Sequence, residues 1–281
     1  MTVSPAVLVL PAFTTADYAA GPDDPDEVGR WLETYDFERY PVRGVPNPVR
    51  YDPAADVALV PTGIGKSAAA ATVAACFADE TLNLDGATIV TVGIAGAHPA
   101  AGTVGSVVVA DAVVDWDLKE RVEGEVAPLS WRARDYVWEL DESLVDRAAG
   151  AARDAELADS EATQTLRAAY DDDRSPGVAV GPTVCGDEVW HGEAAATDVE
   201  RLCATYGVDG YATTEMEDSG TATALERVDA LDRWVCLRAV SNVDRAPPGG
   251  DPAESAGEFC FDLATENAFR AGRAVLAALS A

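Results

Sequence analysis

The chain has 281 residues, of which 48% are hydrophobic and 25% charged, a globular composition rather than a disordered, collagenous or disulfide-framework one. Its 20 Lys and Arg stand against 49 Asp and Glu, a formal charge of −29. Such a surface repels phosphate backbones and anionic lipid, which argues against nucleic-acid binding and against a basic membrane-surface role.

Lysine occurs only as Lys66 and Lys119, and arginine supplies the other cations. This usage resembles that of proteins from salt-accumulating halophiles. Dense surface carboxylates repel one another, and salt screens the repulsion. The unfolding midpoint is therefore expected to fall below roughly molar KCl, where the Debye length exceeds about 3 Å. A midpoint flat with KCl concentration would refute this.

Apolar, β-branched runs alternate with helical patterns along the chain. Ala6–Leu10 predicts a first strand; it is short, meets Pro11 and has no basic segment before it, unlike a signal peptide. Asp26–Tyr35 places Val28, Trp31 and Leu32 at helical spacing. Pro46–Pro53 reads as a loop, Val57–Pro61 as a strand and Lys66–Ala78 as an alanine-rich helix. Thr88–Val92 and Ser106–Val114 predict two further strands. The uncharged run Ala87–Ala110 that contains their junction is long enough to span a bilayer, but Gly93, Gly96, Pro99, Gly102 and Gly105 break it into strand, loop and strand. Leu118–Asp173 is charged and only partly periodic; with Leu144–Leu157 helical, it is expected as a helical insertion at about 118–173. Val178–Cys185 and Trp234–Val240 read as strands. Glu193–Tyr206, Glu217–Val228 and Phe261–Leu279 read as helices, and Arg245–Ser255 as a loop. This alternation predicts one α/β domain over 1–281, with a central mixed sheet flanked by helices in three layers. Cys76, Cys185, Cys203, Cys236 and Cys260 are odd in number and include no CxxC pair, so buried free thiols in a soluble cytoplasmic protein are expected. His98 and His191 lack clustered ligands, and no metal site is expected.

Five segments carry candidate chemistry. Thr62-Gly63-Ile64-Gly65-Lys66-Ser67 follows a strand and opens a helix, either as an anion- or hydroxyl-binding turn or as a plain connection. It is no P-loop, because Val60 stands where that motif needs glycine. Val92-Gly93-Ile94-Ala95-Gly96-Ala97-His98-Pro99 is a second glycine loop at a strand end, where open α/β sheets build ligand crevices. Cys185-Gly186-Asp187-Glu188-Val189-Trp190-His191 offers Trp190 either as a stacking ring for a flat heterocycle or as a core residue. Thr213-Thr214-Glu215-Met216-Glu217-Asp218 sets carboxylates about a methionine. These suit the vicinal hydroxyls of a sugar, or else the capped start of a helix. Arg238-Ala239-Val240-Ser241-Asn242 ends the last strand at the same crevice.

Taken in this order, the segments resemble the nucleoside phosphorylase and nucleosidase superfamily and, within it, the purine nucleoside permease family. The resemblance implies a phosphorylase/hydrolase-like fold, a purine nucleoside ligand, no cofactor and a homo-oligomer of at least two copies. It implies that Glu217 holds the ribose 2′- and 3′-hydroxyls, with Glu215 in the same motif and Met216 lining the sugar. Gly93, Ile94 and Ala95 would wall the anomeric carbon, Trp190 or else Val189 would contact the base, and Ser241-Asn242 would place Asn242 at purine N7.

Departures from the pattern bear on the chemistry. The phosphorylase arginine before the second glycine loop is replaced by Thr91-Val92, and the Gly-Asp-Pro-x-Arg phosphate loop by Leu10-Pro11-Ala12-Phe13-Thr14. Both changes favour water over phosphate as nucleophile. The nucleosidase glutamate expected after strand one is also absent, which leaves Thr14, Asp17 and Thr91 as candidates for placing water. The usual acid of the last motif is Asn242, which has no proton to give up. The expected function is hydrolytic N-glycosidic cleavage of 6-oxopurine nucleosides, with Asn242 and Glu217 as the catalytic pair. The alternatives are a phosphate-dependent phosphorylase and a noncatalytic nucleoside-binding component of uptake, which would need a membrane partner.

Overall fold

A computed structural model describes residues 2–15, 26–256 and 259–279. Its strands are β1 (Val7–Leu10), β2 (Glu38–Tyr40), β3 (Val49–Asp52), β4 (Val57–Leu59), β5 (Thr88–Ala97), β6 (Val107–Asp115), β7 (Lys119–Val122), β8 (Glu125–Pro128), β9 (Val137–Glu139), β10 (Val178–Cys185), β11 (Thr213–Glu215) and β12 (Trp234–Val243). The helices are α1 (Gly29–Thr34), α2 (Lys66–Ala78), α3 (Glu142–Arg153), α4 (Glu161–Ala169), α5 (Glu193–Thr205), α6 (Asp218–Arg227), α7 (Pro252–Ser255) and α8 (Phe261–Leu279).

The main sheet runs β11-β10-β6-β12-β5-β1-β4-β3-β2, with β9 added on β6. Pairing is mixed. β1 is parallel to β4 and β5, and β5 to β12, whereas β12 meets β6 antiparallel. β11 pairs with β10 on one side and with the end of β5 on the other, so β5, β12, β6, β10 and β11 close on themselves.

Side chains alternate across a strand, and this assigns the helix layers. On β5, Val92 faces α8, where a Cβ on Gly272 would come within 3.1 Å of its methyls. Thr91 and Gly93 face the other way, toward Trp234 and Arg238. Arg238 in turn reaches Asp218 at the start of α6, which packs on α2. Helices thus cover both faces of a mixed sheet, as expected from the sequence. Strands β1, β4 and β5 are almost wholly buried, the reason their sequences read as continuous apolar runs.

Four boundaries differ from expectation. The glycine run Gly93–Gly96 is not a loop, because β5 continues through it to Ala97. Its glycines answer close approach: a Cβ on Gly93 would lie 2.5 Å from Glu27 Oε1 and 2.7 Å from an Arg238 nitrogen. Strand β12 likewise continues to Val243. The supposed loop Pro46–Pro53 contains β3, whose Val49 and Asp52 are buried. Residues 118–173 are no helical insertion. They open with the β7–β8 hairpin, give β9 to the main sheet, and bury Val145, Ala148, Ala149 and Ala152 of α3 in the main core.

Candidate functional site

A cavity of about 660 Å³ opens where the C-terminal halves of β5 and β12 meet the chain leaving β1, β10 and β11. Its floor is a cluster of charges that the Thr213–Asp218 segment builds against β12. Where β11 ends at Glu215 and the chain bends through Met216 and Glu217 into α6, the two glutamates reach one partner, Arg238, which is 1% exposed. Arg238 lies 3.0 Å from Glu215, 3.2 Å from Glu217 and 2.9 Å from Asp218. Burial pulls the guanidinium pKa down, but Asp218, Glu215 and Glu217 together hold it well above its usual range.

Glu215 Oε2 also accepts from the backbone N–H groups of Glu217 and Asp218 at 2.6 and 2.8 Å, so it caps the α6 N-terminus. The two readings of this segment open at the sequence level, helix cap and ligand-facing carboxylates, are therefore compatible. The other oxygen, Oε1, is buried without a hydrogen-bond partner. Glu217 Oε1 accepts from Gly65 N–H at 3.0 Å. That N–H belongs to the first glycine turn, where Gly65 has φ +92°, a conformation that costs glycine little. Burial raises the pKa of both glutamates, and Arg238 opposes the rise.

A further carboxyl was not anticipated. Glu27, immediately before α1, turns inward and lines the same cavity. Its Oε2 accepts from Ala12 N–H at 2.5 Å and its Oε1 from Ile94 N–H at 2.7 Å, joining the end of β1 to β5. Burial pushes its pKa up to about 7, with Glu217 adding to the rise and Arg238 and the two N–H groups opposing it. Glu27 thus sits at the end of strand one, where the sequence lacked a carboxylate, although it comes from 15 residues further along. The sequence signal was an acid pair at a helix start, which ordinarily serves the helix dipole. Only Asp26 caps, its Oδ1 accepting from Val28 and Gly29 N–H.

The opposite wall is apolar and aromatic. Val189 and Trp190 line it after β10, Met216 after β11, and Ala253, Ala256 and Phe259 around α7. Trp190 packs edge-on to Trp116 and Tyr211, with ring centroids 5.9 and 6.1 Å apart, so it belongs both to a core cluster and to the cavity. His191 Nε2 meets Ser255 Oγ at 2.9 Å, tying this wall to α7. At the end of β12, Ser241 Oγ lies 2.8 Å from Asn242 Oδ1 and 3.1 Å from Ala95 O.

Of the residues singled out from the sequence, Ile94, Ala95, Trp190, Glu215, Met216, Glu217, Ser241 and Asn242 all line this cavity. Gly93 lies behind Glu27 and Arg238. Thr91 is a correction: it is buried in β5, its hydroxyl accepts from Trp234 Nε1 at 2.8 Å, and it does not line the cavity. Thr14 is half-buried and also outside the lining, and Asp17 lies outside the described residues. Among the described residues, Arg238 is the one lysine or arginine lining the cavity, and its guanidinium is taken up by three carboxylates. The described residues contain no group of three or more His, Cys, Asp or Glu able to hold a metal ion.

A family model described as purine nucleoside permease (NUP) matches residues 4–281. The chain belongs to the purine nucleoside permease family. A probable purine nucleoside permease of Schizosaccharomyces pombe is 27% identical over 220 residues, covering 66% of this chain and 63% of that protein. The chain therefore spans less than two thirds of that relative's length. Solved structures with the same fold include a 5′-methylthioadenosine/S-adenosylhomocysteine nucleosidase of Campylobacter jejuni, at TM-score 0.65 and 20% identity, covering 98% of both chains. They also include the futalosine hydrolase of Helicobacter pylori, at TM-score 0.65 and 16% identity, covering 96% of this chain and 97% of that one. These likenesses, at 16% and 20% identity, show a shared fold. No helix among the described residues of this permease-family chain is long and apolar enough to cross a membrane.

Proposed function

We propose that the cavity binds a purine nucleoside and cleaves its N-glycosidic bond with water. The observation that carries this reading is Glu27, a buried carboxyl with a pKa of about 7 in a cavity whose described lining holds one arginine, already neutralised. A group titrating there is matched to taking a proton from water at neutral pH. Phosphate as co-substrate is held best by a free cationic donor, and the described lining offers none. Two proteins of the same fold, a nucleosidase and a hydrolase, are in keeping with this choice.

In this mechanism the ribose 2′- and 3′-hydroxyls donate to Glu217, with Glu215 Oε1 as a further buried acceptor. Met216 packs under the sugar and Trp190 against the base. Water held by Glu27 attacks the anomeric carbon, and its proton passes to the Glu27 carboxylate. The bond to the base nitrogen breaks and its electron pair leaves with the base, which takes a proton from solvent. Charge developing on the ribosyl ring is stabilised by the surplus carboxylates: Glu27, Glu215, Glu217 and Asp218 surround a single guanidinium. With Asn242 Oδ1 accepting from Ser241 and Nδ2 donating one N–H to Val243 O at 3.5 Å, the other amide N–H is left for the base. One such donor suits N7 or O6 of a 6-oxopurine, so inosine and guanosine are the preferred substrates.

The test is Glu217→Ala. Arg238 keeps Glu215 and Asp218, so the variant is expected to fold. Hydrogen bonds to a charged group contribute about 1.5–3 kcal/mol each. Losing two of them lowers kcat/KM for inosine roughly 100-fold or more. Cleavage at the wild-type rate would show that the sugar binds elsewhere.

A further inference from the structure

Arginine is the cation nearly everywhere in this chain, yet both lysines lie in one place, beside the cavity. Lys66 Nζ is 3.1 Å from Asp115 at the end of β6 and 3.1 Å from Asp117. Lys119 Nζ is 3.4 Å from Asp117 and 3.6 Å from Glu188, and stands 3.2 Å over the centre of the Trp116 ring. The backbone of Lys66 is engaged as well. Its N–H donates to Asp187 Oδ1 at 2.9 Å, and Asp187 N–H donates to Asp117 Oδ2 at 2.5 Å. The packing leaves little slack, since a Cβ on Gly220 of α6 would fall 2.1 Å from the Lys66 carbonyl oxygen.

These contacts link the two halves of the cavity. On the sugar side, the residue before Lys66 gives its N–H to Glu217. On the base side, Asp187 and Glu188 begin the segment that carries Trp190, and Trp116, under Lys119, is one of the two rings against which Trp190 packs. The Lys66 ammonium is a compact point charge that reaches both carboxylates at once.

We propose that Lys66 is a positioning residue that sets the Trp190 segment and the Glu217 carboxylate in register, through Asp117 and Asp187. This rests on the nucleoside reading of the cavity. With Lys66 in place, Asp115 and Asp117 are held together and the Asp187–Trp190 segment is fixed to the start of α2. Without it, the two aspartates repel and the segment moves.

The experiment uses the full chain in high KCl. Lys66→Met is expected to keep a cooperative unfolding transition, raise KM for inosine about tenfold and lower kcat about tenfold. Asp187→Ala, at an exposed position, removes the side-chain contact of the base-side segment with Lys66 N–H but leaves the Glu217 contact with Gly65, and is expected to raise KM by a similar factor with kcat within about twofold. Near-ultraviolet circular dichroism should change in Lys66→Met but not when Trp190→Phe is already present, a readout independent of turnover. Should wild type neither bind nor cleave nucleosides, the reading of the cavity fails, and the dichroism still decides the linkage. Either variant folded with wild-type KM, or a dichroism change that persists in the Trp190→Phe background, overturns the proposal. If Lys66→Met fails to unfold cooperatively, Asp187→Ala decides by the same KM criterion.

Discussion

Glu27→Gln is expected to lower kcat for inosine about 1000-fold, within the roughly 10²–10⁴ range for loss of a general base. The amide has no basic site near neutral pH, and its NH₂ faces a backbone N–H, since Ala12 and Ile94 each donate to one Glu27 oxygen. The wild-type rate should fall as pH drops through about 7, where Glu27 takes up its proton, and this limb should vanish from the residual activity of the variant. Stability gives an independent check. Because the folded pKa is raised from 4.5 to about 7, the folded state binds this proton more tightly than the unfolded chain. The resulting contribution is fully present below pH 4.5 and is lost as pH rises through about 7. The stability of wild type relative to Glu27→Gln should therefore decline by on the order of 3 kcal/mol across that window. Urea unfolding at a series of pH values in constant KCl measures it. A rate limb near 7 unchanged in Glu27→Gln would assign the titration to another group.

Arg238→Met is expected to be the most damaging single substitution for the fold. Removing one partner of a buried ion pair costs about 3–5 kcal/mol, a large part of the roughly 5–15 kcal/mol that stabilises a typical domain. Here three buried carboxylates, Glu215, Glu217 and Asp218, lose the same partner at once. The sign with pH follows. Without Arg238 the Glu215 and Glu217 carboxyls resist ionisation still more, so the variant should regain stability as pH falls and they are protonated. Unfolding of Arg238→Met near neutral pH, with recovery in mild acid, is the expected result. A variant as stable as wild type at pH 8 would contradict the role given to the cluster.

What the sequence disclosed depended on whether the parts of the site are neighbours along the chain. Glu215-Met216-Glu217 and the Arg238–Asn242 stretch were legible because each motif lies on one strand and its continuation. The core strands were legible because burial on both faces makes their sequences continuously apolar. Glu27 was hidden because its role comes from a fold-back onto Ala12 and Ile94, which no local pattern records. Thr91 was misplaced for a different reason: the resemblance set it where phosphorylases carry an arginine, but its hydroxyl is spent on Trp234. The Gly93–Gly96 run looked like a turn because glycine suits turns, whereas here it clears space for Glu27, Arg238 and Thr214 inside a strand. Strands β2, β3, β7, β8 and β9 have three or four residues each, too few for alternation to show.

Release of free base from inosine, guanosine and adenosine in concentrated KCl, with and without phosphate, tests the central claim. Free hypoxanthine and free ribose from inosine, at a rate indifferent to phosphate, are the predicted result. Base released only with phosphate, as ribose 1-phosphate forms, would contradict water as nucleophile and require a cation beyond those lining this cavity. Tight nucleoside binding with no base released under either condition would contradict catalysis itself and mark the chain as a binding component.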